Sequence, residues 1–166
     1  MQANPETPCE FGDDFLDDLP YDPEVLMFDR LLEVDRDRSL VRCRMVTSLP
    51  LPLTSSQRAH PVRHPQHVAG GLIVHATGSL GFVHAYYVLG LRHRDGWIGY
   101  GTHIHKASFR RLIAPGEEVE GTCQAVRLGL GERRHFIRYR LELQRDGERC
   151  YQGEQSALWT RVDAPG

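Results

Sequence analysis

Four histidines, His60, His64, His67 and His75, crowd the stretch Ala59-His-Pro-Val-Arg-His-Pro65 and the segment Val68-Ala-Gly-Gly-Leu-Ile-Val-His75 after it. A neutral imidazole accepts a proton near neutral pH, and an imidazolium returns one. The Gly70-Gly71 step opens an apolar run. Free backbone N–H groups at the start of a helix favour developing negative charge. A histidine beside such donors suits proton transfer on a carbonyl compound. A metal is the competing use of these side chains. His60, His64 and His67 would align only on a helix, and Pro61 and Pro65 oppose one. His103 and His105 share a strand face, but no acidic or cysteine ligand stands beside them in the sequence. No metal and no cofactor is therefore expected.

These residues need elements to hold them. Residues 48–66 carry Pro50, Pro52, Pro61 and Pro65 and read as a loop. Gly70 to Leu89 is the one long helix expected. It is apolar on nearly all sides, with the small residues Ala76, Gly78, Ser79, Gly81 and Ala85 between, which suits a helix wrapped by a sheet. Gly78, Ser79 and Gly81 read as packing positions, and His84 as a deeper, structural histidine. Leu26 to Val34 reads as a turn leading into a strand. Ser39 to Thr47 alternates, with Val41, Cys43 and Met45 on one face and Arg42 and Arg44 on the other. Trp97 to Phe109 is a long strand, and Glu117 to Leu128 follows the turn Ala114-Pro-Gly116. Arg134 to Gln144 turns Ile137, Tyr139, Leu141 and Leu143 inward. The tight-turn pair Asp146-Gly147 precedes Cys150 to Trp159. Two strands, a helix and four antiparallel strands make an α+β fold, one buried helix against a curved antiparallel sheet of about five to six strands.

At 166 residues the chain suits one domain. No apolar run spans a bilayer and the N-terminus is not a signal sequence, so no membrane insertion and a cytoplasmic location are expected. Cys9, Cys43, Cys123 and Cys150 form no C-x-x-C pair and read as free thiols. The net charge of −2 hides an asymmetry: the first 30 residues hold nine acidic side chains and one basic, the rest 13 acidic and 19 basic. Residues 1–20 read as an acidic, flexible leader and 21–162 as the single domain. The basic body suits an anionic partner such as an acyl carrier protein or the phosphates of coenzyme A. No nucleic-acid recognition motif is present.

Taken together, these pieces resemble the hot-dog fold and, within it, the 3-hydroxyacyl-ACP dehydratase family, over roughly residues 19–160. Leu19-Pro20 followed by Leu26-Met-Phe-Asp-Arg-Leu-Leu-Glu-Val34 is similar to the family's opening. Lys106-Ala-Ser-Phe-Arg-Arg-Leu-Ile-Ala-Pro-Gly-Glu-Glu-Val119 is similar to its strand-turn-strand. Ala59 to Pro65 keeps the histidine and final proline of its Gly-His-Phe-Pro-Gly-x-Pro pattern, and Ala69-Gly70 stands at its Pro-Gly. Its helical acid falls on His75.

The resemblance implies an enzyme that processes acyl thioesters, a dehydratase-like lyase of fatty-acid or polyketide metabolism. His60 would remove the α-proton, with His64 or His67 as substitutes if the register shifts. Gly70 and Gly71 N–H groups would hold the thioester oxygen, and His75 would replace the acid. Val68-Ala-Gly-Gly71 is also similar to the Val-His-Gly-Gly step of hot-dog thioesterases, with Ala69 for its histidine and no acidic residue over 70–91. Thioester hydrolysis and non-catalytic acyl binding are thus the alternatives. The implied partners are the acyl thioester of an acyl carrier protein or coenzyme A, the carrier docking on Arg110, Arg111 or Arg127, and a second copy in a homodimer or dimer of dimers.

Overall fold

Period-two burial builds one antiparallel sheet. The computed structural model describes residues 5–162. Its strands are β1 (Cys9–Glu10), β2 (Phe28–Asp35), β3 (Leu40–Met45), β4 (Trp97–Phe109), β5 (Val119–Leu130), β6 (Arg134–Arg145) and β7 (Glu148–Arg161). They lie in the order β1-β2-β3-β5-β6-β7-β4. Val41, Cys43 and Met45 of β3 are buried, as are Ile137, Tyr139, Leu141 and Leu143 of β6. Asp146 and Gly147, both at positive φ (50° and 75°), turn β6 into β7, the backbone that a two-residue hairpin requires. The fold is α+β, as the order of elements predicts. The sheet has seven strands rather than five to six, because β1 comes from the acidic segment.

That segment is packed where composition predicts a flexible leader; residues 1–4 lie outside the described residues. Phe11 and Phe15 flank a short helix, α1 (Asp13–Leu16), and both are buried. The Phe15 ring stands 5.1 Å from that of Tyr86 and 5.2 Å from that of Tyr87. Asp18 accepts the backbone N–H groups of His93 and Arg94, both at 2.9 Å. Two apolar anchors and a capping carboxylate outweigh the solvation of the other acids.

The long helix α2 (Gly70–Tyr87) lies on one face of the sheet and buries Leu72, Ile73, Ala76, Leu80 and Val83, packing against β3 and β5. His84 fastens it. This side chain is fully buried, and its Nε2 lies 3.0 Å from the Ser39 hydroxyl and 3.1 Å from the Ser39 carbonyl oxygen. Burial pushes its pKa down to about 4, so the ring is neutral. The residues of α2 left exposed are Gly71, His75 and Gly78, one face at helical spacing. No helix among the described residues is long and apolar enough to cross a membrane. All four cysteines are free thiols.

Candidate active site

His75 projects from the exposed face of α2 and is held by one bond. Its Nε2–H donates to the Val25 carbonyl oxygen at 2.6 Å. Val25 closes a one-turn 3-10 helix, Pro23–Val25, in which proline supplies a ready-made first turn. A carbonyl only accepts, so Nε2 carries the proton and the neutral ring keeps its lone pair on Nδ1. The adjoining turn is tied down as well. The Ser79 hydroxyl donates to the His75 carbonyl at 3.2 Å. The Thr77 hydroxyl donates to the Val74 carbonyl and accepts Gln155 Nε2, both at 2.8 Å.

Two cavities meet at His75 and Tyr21. A groove of about 650 Å3 runs past Val25, Met27, Phe28, Leu51 and Leu72. Its wall also carries two carboxylates. Asp29 is committed to Arg44 through two bonds of 2.9 Å, while Glu24 is exposed and holds no partner among the described residues. On the other side of His75 a slot of about 240 Å3 opens between α2 and strands β4 and β7. Gly78, Gly81, Gly99 and Gly101 give it room, and Thr77, Ser79 and Gln155 supply polar atoms.

The other histidines expected at a site lie elsewhere. His60 Nδ1 accepts the backbone N–H groups of Val62 (3.2 Å) and Arg63 (3.0 Å). His60 and His64 also exchange backbone bonds of 2.6 and 2.9 Å. The His60 ring thus caps its own turn, the neutral form carries its proton on Nε2, and it lines neither cavity at His75. His64 is exposed, with its ring 5.2 Å from that of His67. His67 Nδ1 donates to the Pro65 carbonyl at 2.8 Å.

His67, Gly70, Arg110 and Arg111 line a third cavity of about 340 Å3. Among the described residues the N–H groups of Gly70 and Gly71 meet no acceptor, and the Ala69 carbonyl takes those of Leu72 (2.9 Å) and Ile73 (3.2 Å). Arg111 pairs with Glu148 at 2.9 Å, and the Arg110 side chain is exposed and, among the described residues, without a partner. Arg127 is not with them. It stands opposite Arg138 in the β5–β6 ladder, level with Ser156 of β7 and with His103 in the middle of β4. His103 and His105 stack with ring centroids 5.6 Å apart, and His105 Nε2 lies 2.6 Å from the Ser156 hydroxyl. Among the described residues no three His, Cys, Asp or Glu side chains gather as metal ligands.

Several residues of the His75 region carry no sequence signal. Val25 bonds His75, and Tyr21 and Glu24 share a cavity wall with it, across about 50 positions, a distance at which no local pattern speaks. Gly78 and Gly81, expected as packing positions, instead line the slot.

One long helix packed on an antiparallel sheet in this strand order is the hot-dog fold, and this chain has it. Its neighbours among solved structures include the dehydratase heterocomplex ApeI:P from Xenorhabdus doucetiae, with a TM-score of 0.64 at 13% identity over 91% of this chain and 90% of that one. A point variant of thioesterase PA1618 from Pseudomonas aeruginosa follows with a TM-score of 0.56 at 18% identity, over 84% and 85%. A homologue of HP0420 from Helicobacter felis has a TM-score of 0.59 at 12% identity, over 92% and 90%. No protein-family model and no curated protein sequence matches the chain. At such identities the likeness establishes the fold.

Proposed function

We propose that the chain processes acyl thioesters at His75, as a dehydratase-like lyase acting on 3-hydroxyacyl groups. The bond from His75 to Val25 carries this reading, because it leaves a basic nitrogen at the junction of two substrate-sized cavities. His75 Nδ1 removes the α-proton, and the C–H electrons become the Cα=Cβ double bond. The β-C–O bond breaks, and the leaving hydroxyl takes the same proton back from the Nδ1–H imidazolium and departs as water. One histidine serves as base and then acid, so no helical carboxylate is needed. Glu24, the uncommitted carboxylate in the groove, stabilises the transient imidazolium. Gly70 and Gly71, one turn before His75, offer free N–H groups to the thioester oxygen. His60 keeps its turn and does not act as the base.

The carrier is the phosphopantetheine arm of coenzyme A or an acyl carrier protein, its phosphates meeting Arg110 and Arg111 beside the start of α2. Two copies join along β4, which among the described residues pairs only with β7 and exposes Ile98, Tyr100, Ile104 and Phe109.

A second reading, hydrolysis of the thioester, rests on the exposure of His75. Solvent reaches its ring, and a neutral Nδ1 can activate water as readily as it takes an α-proton. Mass spectrometry of a 3-hydroxyacyl-coenzyme A incubated with the protein separates the two. An enoyl-coenzyme A lighter by one water supports dehydration, free coenzyme A supports hydrolysis, and an unchanged substrate overturns both.

A further inference from the structure

The middle of β4 carries two histidines that the reaction at His75 does not use. In the register of the sheet His103 stands opposite Ser156 of β7, and Ser156 opposite Arg138 of β6. Arg138 lies between Ile137 and Tyr139, which are both buried, Tyr139 beside Gly81 of α2. Residues directly opposite share a face, so His103 points away from α2. His105 joins it there. Its Nε2 lies 2.6 Å from the hydroxyl of the buried Ser156, and the two imidazoles stack with centroids 5.6 Å apart at 16°. Both histidines are exposed.

The pair is arranged as metal ligands are. The register slips between Gly101 and His103 and again between Ile104 and Lys106, and bulges of this kind re-aim side chains. Ser156 orients one ring. With the Nε2–H of His105 donated to that hydroxyl, Nδ1 keeps its lone pair for an ion, and a metal-bound histidine is ordinarily held in this way through its other nitrogen. His103 makes no hydrogen bond among the described residues, so either of its nitrogens is available. Nearby cations are offset by an acid: Glu154 stands opposite Lys106 and accepts a bond of 2.8 Å from Arg138.

Two imidazoles make half of a tetrahedral site. The other half lies across the open edge. Residue 103 is the midpoint of β4 (Trp97–Phe109). A second copy pairing antiparallel at full overlap sets His103 opposite its own counterpart, and a slip of two residues sets it opposite His105 of the partner subunit. Either way four imidazoles gather on one face at the two-fold axis, with opposed Cβ atoms about 4.5–5.5 Å apart.

We infer that His103 and His105 of two copies hold one transition-metal ion of the zinc class between them and so clasp the β4 edges. Ligation by imidazole alone suits zinc, nickel or copper rather than magnesium or calcium. The inference rests on the pairing of copies along β4 and is independent of the chemistry at His75.

Calorimetric titration of the chelator-treated protein with zinc chloride tests it, with sedimentation velocity giving the mass. The wild-type protein binds one zinc per two chains, and zinc keeps the dimer together at concentrations at least tenfold lower than without it. His103→Ala and, separately, His105→Ala lower the affinity for zinc at least tenfold, with the thermal midpoint showing that each variant is folded. A dimer that binds no zinc, binds one per chain, or binds it as tightly in both variants overturns the inference and leaves the edge pairing standing. A chain that stays monomeric with and without zinc overturns both.

Discussion

The Nε2 proton of His75 is held by the carbonyl oxygen of Val25 at 2.6 Å, across about 50 positions of sequence. The bond fixes both the tautomer and the direction of the ring. It makes Nδ1 the basic nitrogen and sets it where the apolar groove meets the ring-lined slot. The contrast with His60 is chemical. Both rings are anchored to backbone, but His60 uses its lone pair to accept N–H groups, whereas His75 uses its proton to donate.

On the proposed reading Glu24 acts through His75, since its carboxylate lies in the groove that His75 also lines. Glu24→Gln then lowers turnover of a 3-hydroxyacyl-coenzyme A several-fold, without unfolding the protein. Turnover identical to wild type would remove Glu24 from the account.

His84 makes stability fall in acid. Its pKa drops from 6.5 to about 4 on folding, chiefly through burial, so between those values the unfolded chain binds the extra proton. The His84 contribution is intact above about pH 6.5 and is lost as pH falls toward 4, by up to about 3 kcal/mol. Urea midpoints measured from pH 7.5 to 4.5 show this decline. His84→Gln is less stable at pH 7.5 but loses less over that window; a parallel decline in the variant would refute the assignment.

Gly99 is fixed by contact. A Cβ there would fall 2.4 Å from the Trp159 ring, which lies against the strand backbone and forms part of the slot. Gly99→Val destabilises the fold by roughly 1–3 kcal/mol, read from chemical unfolding. Gly101→Ala, where a Cβ meets nothing within 4 Å, changes it little.

The exposed edge of β4 predicts self-association. Ile104 is 55% exposed on that strand. In light scattering, wild type has the mass of a dimer or a pair of dimers and Ile104→Asp that of a single chain. A monomeric wild type would contradict the edge pairing.

The sheet and helix were legible because alternation and an all-apolar run are local signals. β4 occupies Trp97–Phe109, the span its pattern predicts, and α2 begins at Gly70 as expected and ends two residues early. The acidic segment misled because nine carboxylates over the first 30 residues dominate its composition. The informative pair was Phe11 and Phe15, four apart and buried on Tyr86 and Tyr87. The place of His75 near the start of the long helix was legible from its register. Its orienting carbonyl, the Glu24 carboxylate and the slot were not, since each depends on long-range contacts that no spacing encodes.

The most direct test of the account is turnover of a 3-hydroxyacyl-coenzyme A by wild type, His75→Ala and His60→Ala, followed as enoyl product or released thiol. The account predicts measurable turnover by wild type, a fall of about 10²-fold or more in His75→Ala, and activity within a few-fold of wild type in folded His60→Ala. Full activity in His75→Ala, with the loss appearing in His60→Ala instead, would contradict it.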